Sequence, residues 1–201
     1  MGDLSDSDRN PSSDAEPILH FWFGADANSP PGRNWLRWFV PDPEFDQQCR
    51  RFLRSHEDAA RKRLEEWKQA PRSCLALVLL LDQFPRNIFR DTARAFATDA
   101  QARLVSRHAI ASGFDRQLPP LLRMFLYLPL EHSENLDDQL ESVRLNGALA
   151  AENPEYAKVL HSAKWHIETI RRFGRFPGRN RALGRPSTQE EIDFLQRGDE
   201  E

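Results

Sequence analysis

The chain has 201 residues, with 28 lysines and arginines against 31 aspartates and glutamates and a formal net charge of −3. A chain of that length buries one sizeable core without disulfide staples. The slightly acidic balance excludes broad electrostatic capture of nucleic acid, and the two cysteines, Cys49 and Cys74, have neither metal-type spacing nor a disulfide framework around them.

Residues 1–17 (MGDLSDSDRNPSSDAEP) are polar and acidic and lack the apolar centre of a signal peptide, so no secretory signal or transit peptide is expected. They read as an unstructured tail over 1–16, followed by a single helical domain over 17–197 and a short tail over 198–201. The longest apolar run, residues 74–81, is far too short to span a bilayer. With thiols that suit a reducing compartment, this points to a soluble, cytoplasmic protein without a membrane partner.

Residues 18–23 (ILHFWF) form a short apolar piece stopped by Gly24, and residues 32–40, with Trp35, Trp38 and Phe39, an aromatic plug. Asp42-Pro43 is a helix start, aspartate at the N-cap and proline at the first helical position. From there Phe45, Cys49, Phe52, His56, Ala60, Leu64 and Trp67 recur at steps of three and four residues. That is one face of a long amphipathic helix, or of two broken near Ser55. Pro71 resets the chain, and residues 74–81 are apolar on every side, which predicts a covered central helix ending at Asp82. Thr98 and Gln101 form a capping-box pair opening a helix that stops at Gly113. Pro119-Pro120 opens a helix over 121–128, closed by Pro129. Ser133 caps the next, with Leu136, Leu140, Val143 and Gly147 as its inward stripe. Asn153-Pro154 starts another, with Tyr156, Val159, Leu160, Ala163, Ile167 and Ile170 inward, and residues 187–190 cap a last helix ending at Gly198. No stretch alternates as a strand does. The expected fold class is all-α, one domain of about eight helices whose short loops favour antiparallel neighbours.

Three phrases, LALVLLLDQFPRNIFRDTARAFATD (75–99), LPPLLRMFLYLPLEHSENLDDQ (118–139) and IRRFGRFPGRNRALGRPSTQEEIDFL (170–195), carry a resemblance. With HFWFG (20–24) and WFVPDPEFD (38–46) they resemble the domain-of-unknown-function family 924. The resemblance implies a tetratricopeptide-like stack of helices over about residues 17–197 and no assigned activity. Where many members read Arg-Phe-Pro-His-Arg-Asn, this chain has Gly178 between Pro177 and Arg179. No histidine role carries over to that position.

Residues 172–181 set four arginines among phenylalanines, glycines and a proline, and residues 84–87 repeat the theme of Phe-Pro followed by Arg and Asn. Gly174, Pro177 and Gly178 break a helix, so these guanidinium groups sit on a shaped loop. Planar guanidinium forks suit carboxylate or phosphate. Two readings stand side by side. In one, Arg172, Arg175, Arg179 and Asn180, with Asp82 and Arg86 as the floor of a pocket, bind a small anionic molecule or an acidic peptide. In the other, the arginines clasp Glu131, Glu134, Asp137 and Asp138, while Asp82, Arg86, Arg123 and Glu131 form a buried network that fixes helix register.

Residues 131–134 (EHSE) crowd ionisable groups at a helix start. Glu131 orienting His132 for proton transfer, with His166 as a second acid or support, are the catalytic candidates; alternatively Glu131 only pairs with a loop arginine. His56 reads as a hydrogen-bonded core histidine, His161 as solvated, and Trp165 as lying off its helix's main stripe. Neither cysteine has an activating neighbour, and no Gly-x-Ser-x-Gly elbow or Gly-rich phosphate loop is present. The paired Glu-x-x-His repeats of di-iron helices are missing, so neither metal nor cofactor is expected. Three functions follow in order: a pocket for an anionic ligand with or without catalysis, a tetratricopeptide-like interaction module, and a metal-dependent oxidase.

Overall fold

The computed structural model describes residues 11–24 and 38–197. In chain order its helices are α1 (Pro11–Phe23), α2 (Pro43–Cys49), α3 (Leu53–Ala60), α4 (Pro71–Ile88), α5 (Asp99–Ala111), α6 (Pro120–Glu131), α7 (Leu136–Glu152), α8 (Ala157–Phe173) and α9 (Gln189–Gln196). Short 3-10 turns and one four-residue α-helical turn, Asn180–Leu183, join them, and no described residue lies in a strand. None of these helices is long and apolar enough to cross a membrane.

The centre is α4. Pro71 starts it where a missing N–H does no harm. Every residue from Ser73 to Pro85 is buried, because α1, α2, α3, α5 and α6 all pack on it. The helix does not end at Asp82 but continues through Pro85. A proline cannot donate to the carbonyl four residues back, and Thr98 Oγ1 takes up that Leu81 carbonyl instead, at 2.6 Å. The same bond explains why Thr98 does not cap α5: its hydroxyl is engaged, and α5 has no side-chain cap. Similarly, α6 runs through Pro129 to Glu131 rather than stopping at 128.

Around α4 the aromatic residues interlock. Trp22 lies against Phe45, Phe84 and Phe125, with ring centroids 5.4, 5.1 and 6.0 Å away. Such pairs add about 0.5–1.5 kcal/mol each beyond their area burial. Helix α1 begins at Pro11, inside the stretch expected as a tail over 1–16. Of the expected aromatic plug, Trp38 is buried and Phe39 half-exposed, while residues 32–37, like residues 1–10 and 198–201, lie outside the described residues.

The single amphipathic helix expected after Asp42 is α2, a 3-10 turn over Arg50–Phe52, α3, and a second turn over Glu65–Gln69. The Asp42 carboxylate caps it as the sequence predicts, accepting from the Glu44 and Phe45 amides, and Phe45, Cys49, His56 and Trp67 are buried. His56 is a core histidine, with Nδ1 2.8 Å from the Leu80 carbonyl.

Helix α7 reverses the expectation. Leu136 and Leu140 are 44 and 47 % exposed, and the buried face is Asp138, Gln139, Ser142, Leu145, Asn146 and Leu149. Its cap is Asn135, not Ser133, whose hydroxyl donates to Asp138. The polar face turns inward because the end of α6 presents carbonyls that need donors: Gln139 Nε2 donates to the carbonyls of Glu131 and Ser133, both at 2.6 Å. In α8 the predicted face is buried at Val159, Ala163, Ile167 and Ile170, and Trp165 packs off that face against Phe194 of α9. The capping box of α9 pairs Thr188 with Glu191, one residue beyond the expected position.

Candidate functional site

Helices α4, α5 and α6 and the segment after α8 converge on His132, the residue that ends α6. Asp82, 1 % exposed, places its two carboxylate oxygens 2.9 and 3.0 Å from His132 Nδ1. Gln83 Nε2 donates to the same carboxylate, and Arg86 lies 3.2 Å from it. Arg86 forks onto Asp99 at 2.9 and 3.1 Å, and Asp99 accepts in turn from Arg179. The circuit closes through Arg179 Nη2, which donates to the His132 carbonyl at 2.8 Å. That carbonyl is one a helix end leaves without an internal partner.

The alternation of charge sets the protonation states. Burial opposes the Asp82 charge, but the Arg86 guanidinium and the hydrogen bonds from His132 and Gln83 outweigh it and hold the carboxyl well below the usual range. Burial lowers His132, with Asp82 partly offsetting, so the imidazole is neutral at pH 7. Its Nδ1 proton points at an ionised acceptor. Burial, aided by Arg86, brings Arg179 down to about 10, still charged at neutral pH.

A second histidine stands beside the first, ring centroids 6.3 Å apart. His166 Nδ1 lies 3.0 Å from the Ser162 carbonyl and 3.3 Å from Glu131 Oε1. Both neighbours accept, so this nitrogen carries the proton. Glu131, 1 % exposed, also accepts from Ser162 Oγ at 2.7 Å and from Asn146 Nδ2 at 3.2 Å. Burial, then the neighbouring His132, pushes His166 down to about 3.

Both histidines line a cavity of about 460 Å³. Met124, Leu128 and Val159 supply apolar walls, Glu131 and Ser162 polar ones, and Phe39, Val40, Lys158 and His161 complete the lining. His161, expected to be solvated, is exposed and yet contributes to that lining. With Nδ1 of His132 held by Asp82, and no described residue bonded to Nε2, Nε2 is the ring nitrogen left for a molecule in the cavity. A neutral imidazole backed by a carboxylate accepts a proton, and the carboxylate stabilises the imidazolium that results. Among the described residues no group of histidine, cysteine or carboxylate side chains could hold a metal.

Of the residues expected at the site, Asp82, Arg86, Glu131, His132, His166 and Arg179 gather here, but the pairs are exchanged. His132 is oriented by Asp82 and not by Glu131, which serves His166 instead. Arg172, Arg175 and Asn180 do not reach the cavity. Arg172 bonds Glu190, Arg175 forks onto Glu191, and Asn180 bonds Ser187 and Arg185, closing the C-terminal segment on itself. Of the acids expected to clasp the loop, Glu134 meets this segment, through the Phe176 amide and a fork from Arg185. Asp138 binds Arg103 and Arg107, Asp137 is exposed, and Arg123 pairs with Glu152 away from the network. Sequence reasoning missed Asp99, Ser142 and Asn146. The last two are legible as a polar stripe, since Asp138, Gln139, Ser142 and Asn146 recur at helical steps.

The model of a family described as bacterial proteins of unknown function, DUF924, matches residues 18–199. The chain is also similar to a solved structure of a protein of unknown function from Agrobacterium tumefaciens, at 40% identity and a TM-score of 0.83, over 94% of this chain and 100% of that one. No curated protein matches significantly. The chain therefore belongs to the DUF924 family of bacterial proteins of unknown function.

Proposed function

We propose that the protein binds a small amphipathic molecule with one acidic group in the cavity beside His132 and transfers a proton to or from it. The observation that carries this reading is the Asp82–His132 pair, bonded at 2.9 Å, with His132 in the lining of a cavity of about 460 Å³. Lys158 supplies the cationic edge for a carboxylate or phosphate, in place of the arginines of residues 172–181, which are engaged with carboxylates. His132 is the acid/base, Asp82 orients it, and Glu131 with His166 shapes the second polar wall. A recess of about 460 Å³, partly open to solvent, falls within the size range of small-molecule pockets. We place the helical hairpins in a tetratricopeptide-like arrangement and the protein in the cytoplasm.

The test is a thermal-shift screen of small aliphatic and aromatic carboxylates and phosphate monoesters. A compound at about a hundred times its dissociation constant adds about 2.7 kcal/mol of stability. Hits should be lost in Val159→Trp, which fills the cavity, and kept in Arg175→Ala, which lies away from it. Hits that survive Val159→Trp unchanged, or a screen without hits, would overturn the reading.

A further inference from the structure

A second basic stretch lies outside the C-terminal segment. Residues 50–63 (RRFLRSHEDAARKR) hold six basic residues against two acids in a chain whose net charge is −3. The 3-10 turn over Arg50–Phe52, helix α3 and the turn after it fold this stretch around a shallow depression of about 530 Å³. Arg50, Arg51, Leu53, Arg54, Arg61 and Arg63 line it.

Two of these arginines are braced by the two acids of the same lining: Arg61 on Glu57 and Arg63 on Asp58, both at 3.1 Å. Arg51 is braced without an acid, its Nε bonded to the Gln48 carbonyl and its guanidinium over the Phe21 ring. For Arg50, Arg51 and Arg54 no described residue supplies a carboxylate. The turn itself is fixed. Lys62 takes a left-handed conformation, φ 59°, where glycine is usual, and the Arg63 amide reaches back to the Asp58 carbonyl at 2.9 Å. That places like charges side by side instead of letting them spread.

We infer that this depression binds a linear oligophosphate. A solvated basic face needs neither a recess nor guanidinium groups in preference to ammonium; here five arginines surround a hollow. Each guanidinium fork offers paired N–H donors that match two phosphate oxygens, and concentrated positive charge calls for a ligand carrying several negative charges within a few ångströms. A phosphate chain has that density; a single phosphate does not, and the carboxylates of an extended peptide are spaced too widely. The site is separate from the cavity beside His132 and shares no lining residue with it.

Isothermal titration of the full chain with inorganic tripolyphosphate tests this. Binding should weaken steeply between about 50 and 200 mM salt, as contacts to several phosphates require. The Arg50→Gln/Arg54→Gln variant should bind at least tenfold more weakly, and Arg144→Gln, a surface arginine on α7, should bind as the wild type does. Both altered sites are exposed, so the fold is retained. A nucleoside triphosphate that binds more tightly than tripolyphosphate identifies a nucleotide as the source of the phosphate chain; one that binds more weakly identifies free polyphosphate. Equal binding of tripolyphosphate by the double variant, or equal binding of oligoglutamate by the wild type, overturns the proposal.

Discussion

Asp82 and His132 stand 50 positions apart in sequence and meet at 2.9 Å, with Arg86 on the far side of the carboxylate. Breaking a buried pair of this kind by removing one member costs about 3–5 kcal/mol, because the survivor is stranded. Asp82→Asn and Arg86→Gln should each fall in that range in urea denaturation. The double variant should lose less than the two together by roughly 1–3 kcal/mol, since neither charge is then left alone. Additive losses would mean that the two side chains do not act as a pair.

The histidines set a pH dependence. An unfolded chain protonates histidine near about 6.5, whereas folded His166 resists until about 3. Between those values the unfolded state holds the extra proton. The His166 contribution is therefore complete above about pH 6.5 and is lost progressively as pH falls towards 3, on the order of 1 kcal/mol per pH unit. His132, lowered in the same direction, adds to the loss. Asp82 acts in a lower window, losing its contribution as pH falls below the unfolded carboxylate value of about 3.9. Denaturation midpoints measured from pH 7 to pH 5 should drop less steeply in His166→Gln than in the wild type. Parallel slopes would contradict the assignment.

Much of this is legible in the residues. Periodicity locates the helices, and the Asp42-Pro43 and Asn153-Pro154 starts can be read directly because a capping side chain acts on its own next turn. What escapes is long-range. Nothing local says that Thr98 will leave its own helix to bond the Leu81 carbonyl freed by Pro85, and so the end of α4 and the cap of α5 both differ from expectation. The apolar stripe of α7 points to Leu136 and Leu140 because leucines ordinarily face inward. In the folded chain the orphan carbonyls at the end of α6 draw Gln139 inward instead. The candidate residues gather as a group, but the partners within the group are exchanged. Charge alone cannot choose between Asp82 and Glu131 as the carboxylate behind His132.

Glu134 joins the C-terminal segment to the rest of the domain. It accepts from the Phe176 amide at 2.9 Å and from Arg185 at 2.8 and 3.0 Å. Hydrogen bonds to a charged group contribute about 1.5–3 kcal/mol, so Glu134→Ala should destabilise by about that amount. Its local signature is more telling. Hydrogen exchange should accelerate over residues 174–187 while the amides of α4 keep their protection, because this segment can lift without opening the core. A uniform loss of protection would show that the segment and the core open as one unit.

The thiols offer a probe of that core. Cys49 and Cys74 are both at 0% exposure, and burial, against a weak pull from Lys68, pushes the Cys74 thiol up to about 12. The thiolate is the reactive form, so a thiol reagent at pH 8 should label neither residue in the native protein and both after denaturation. Cys74 lies buried in the first turns of α4, the helix on which α1 and the turn over Glu65–Gln69 pack. Fraying of a terminus therefore cannot reach it, and its labelling rate in low urea should follow the global unfolding equilibrium. A Cys74 rate that is insensitive to urea would mean that α1 detaches while the rest stays folded. Helix α4 would then lie open on one side.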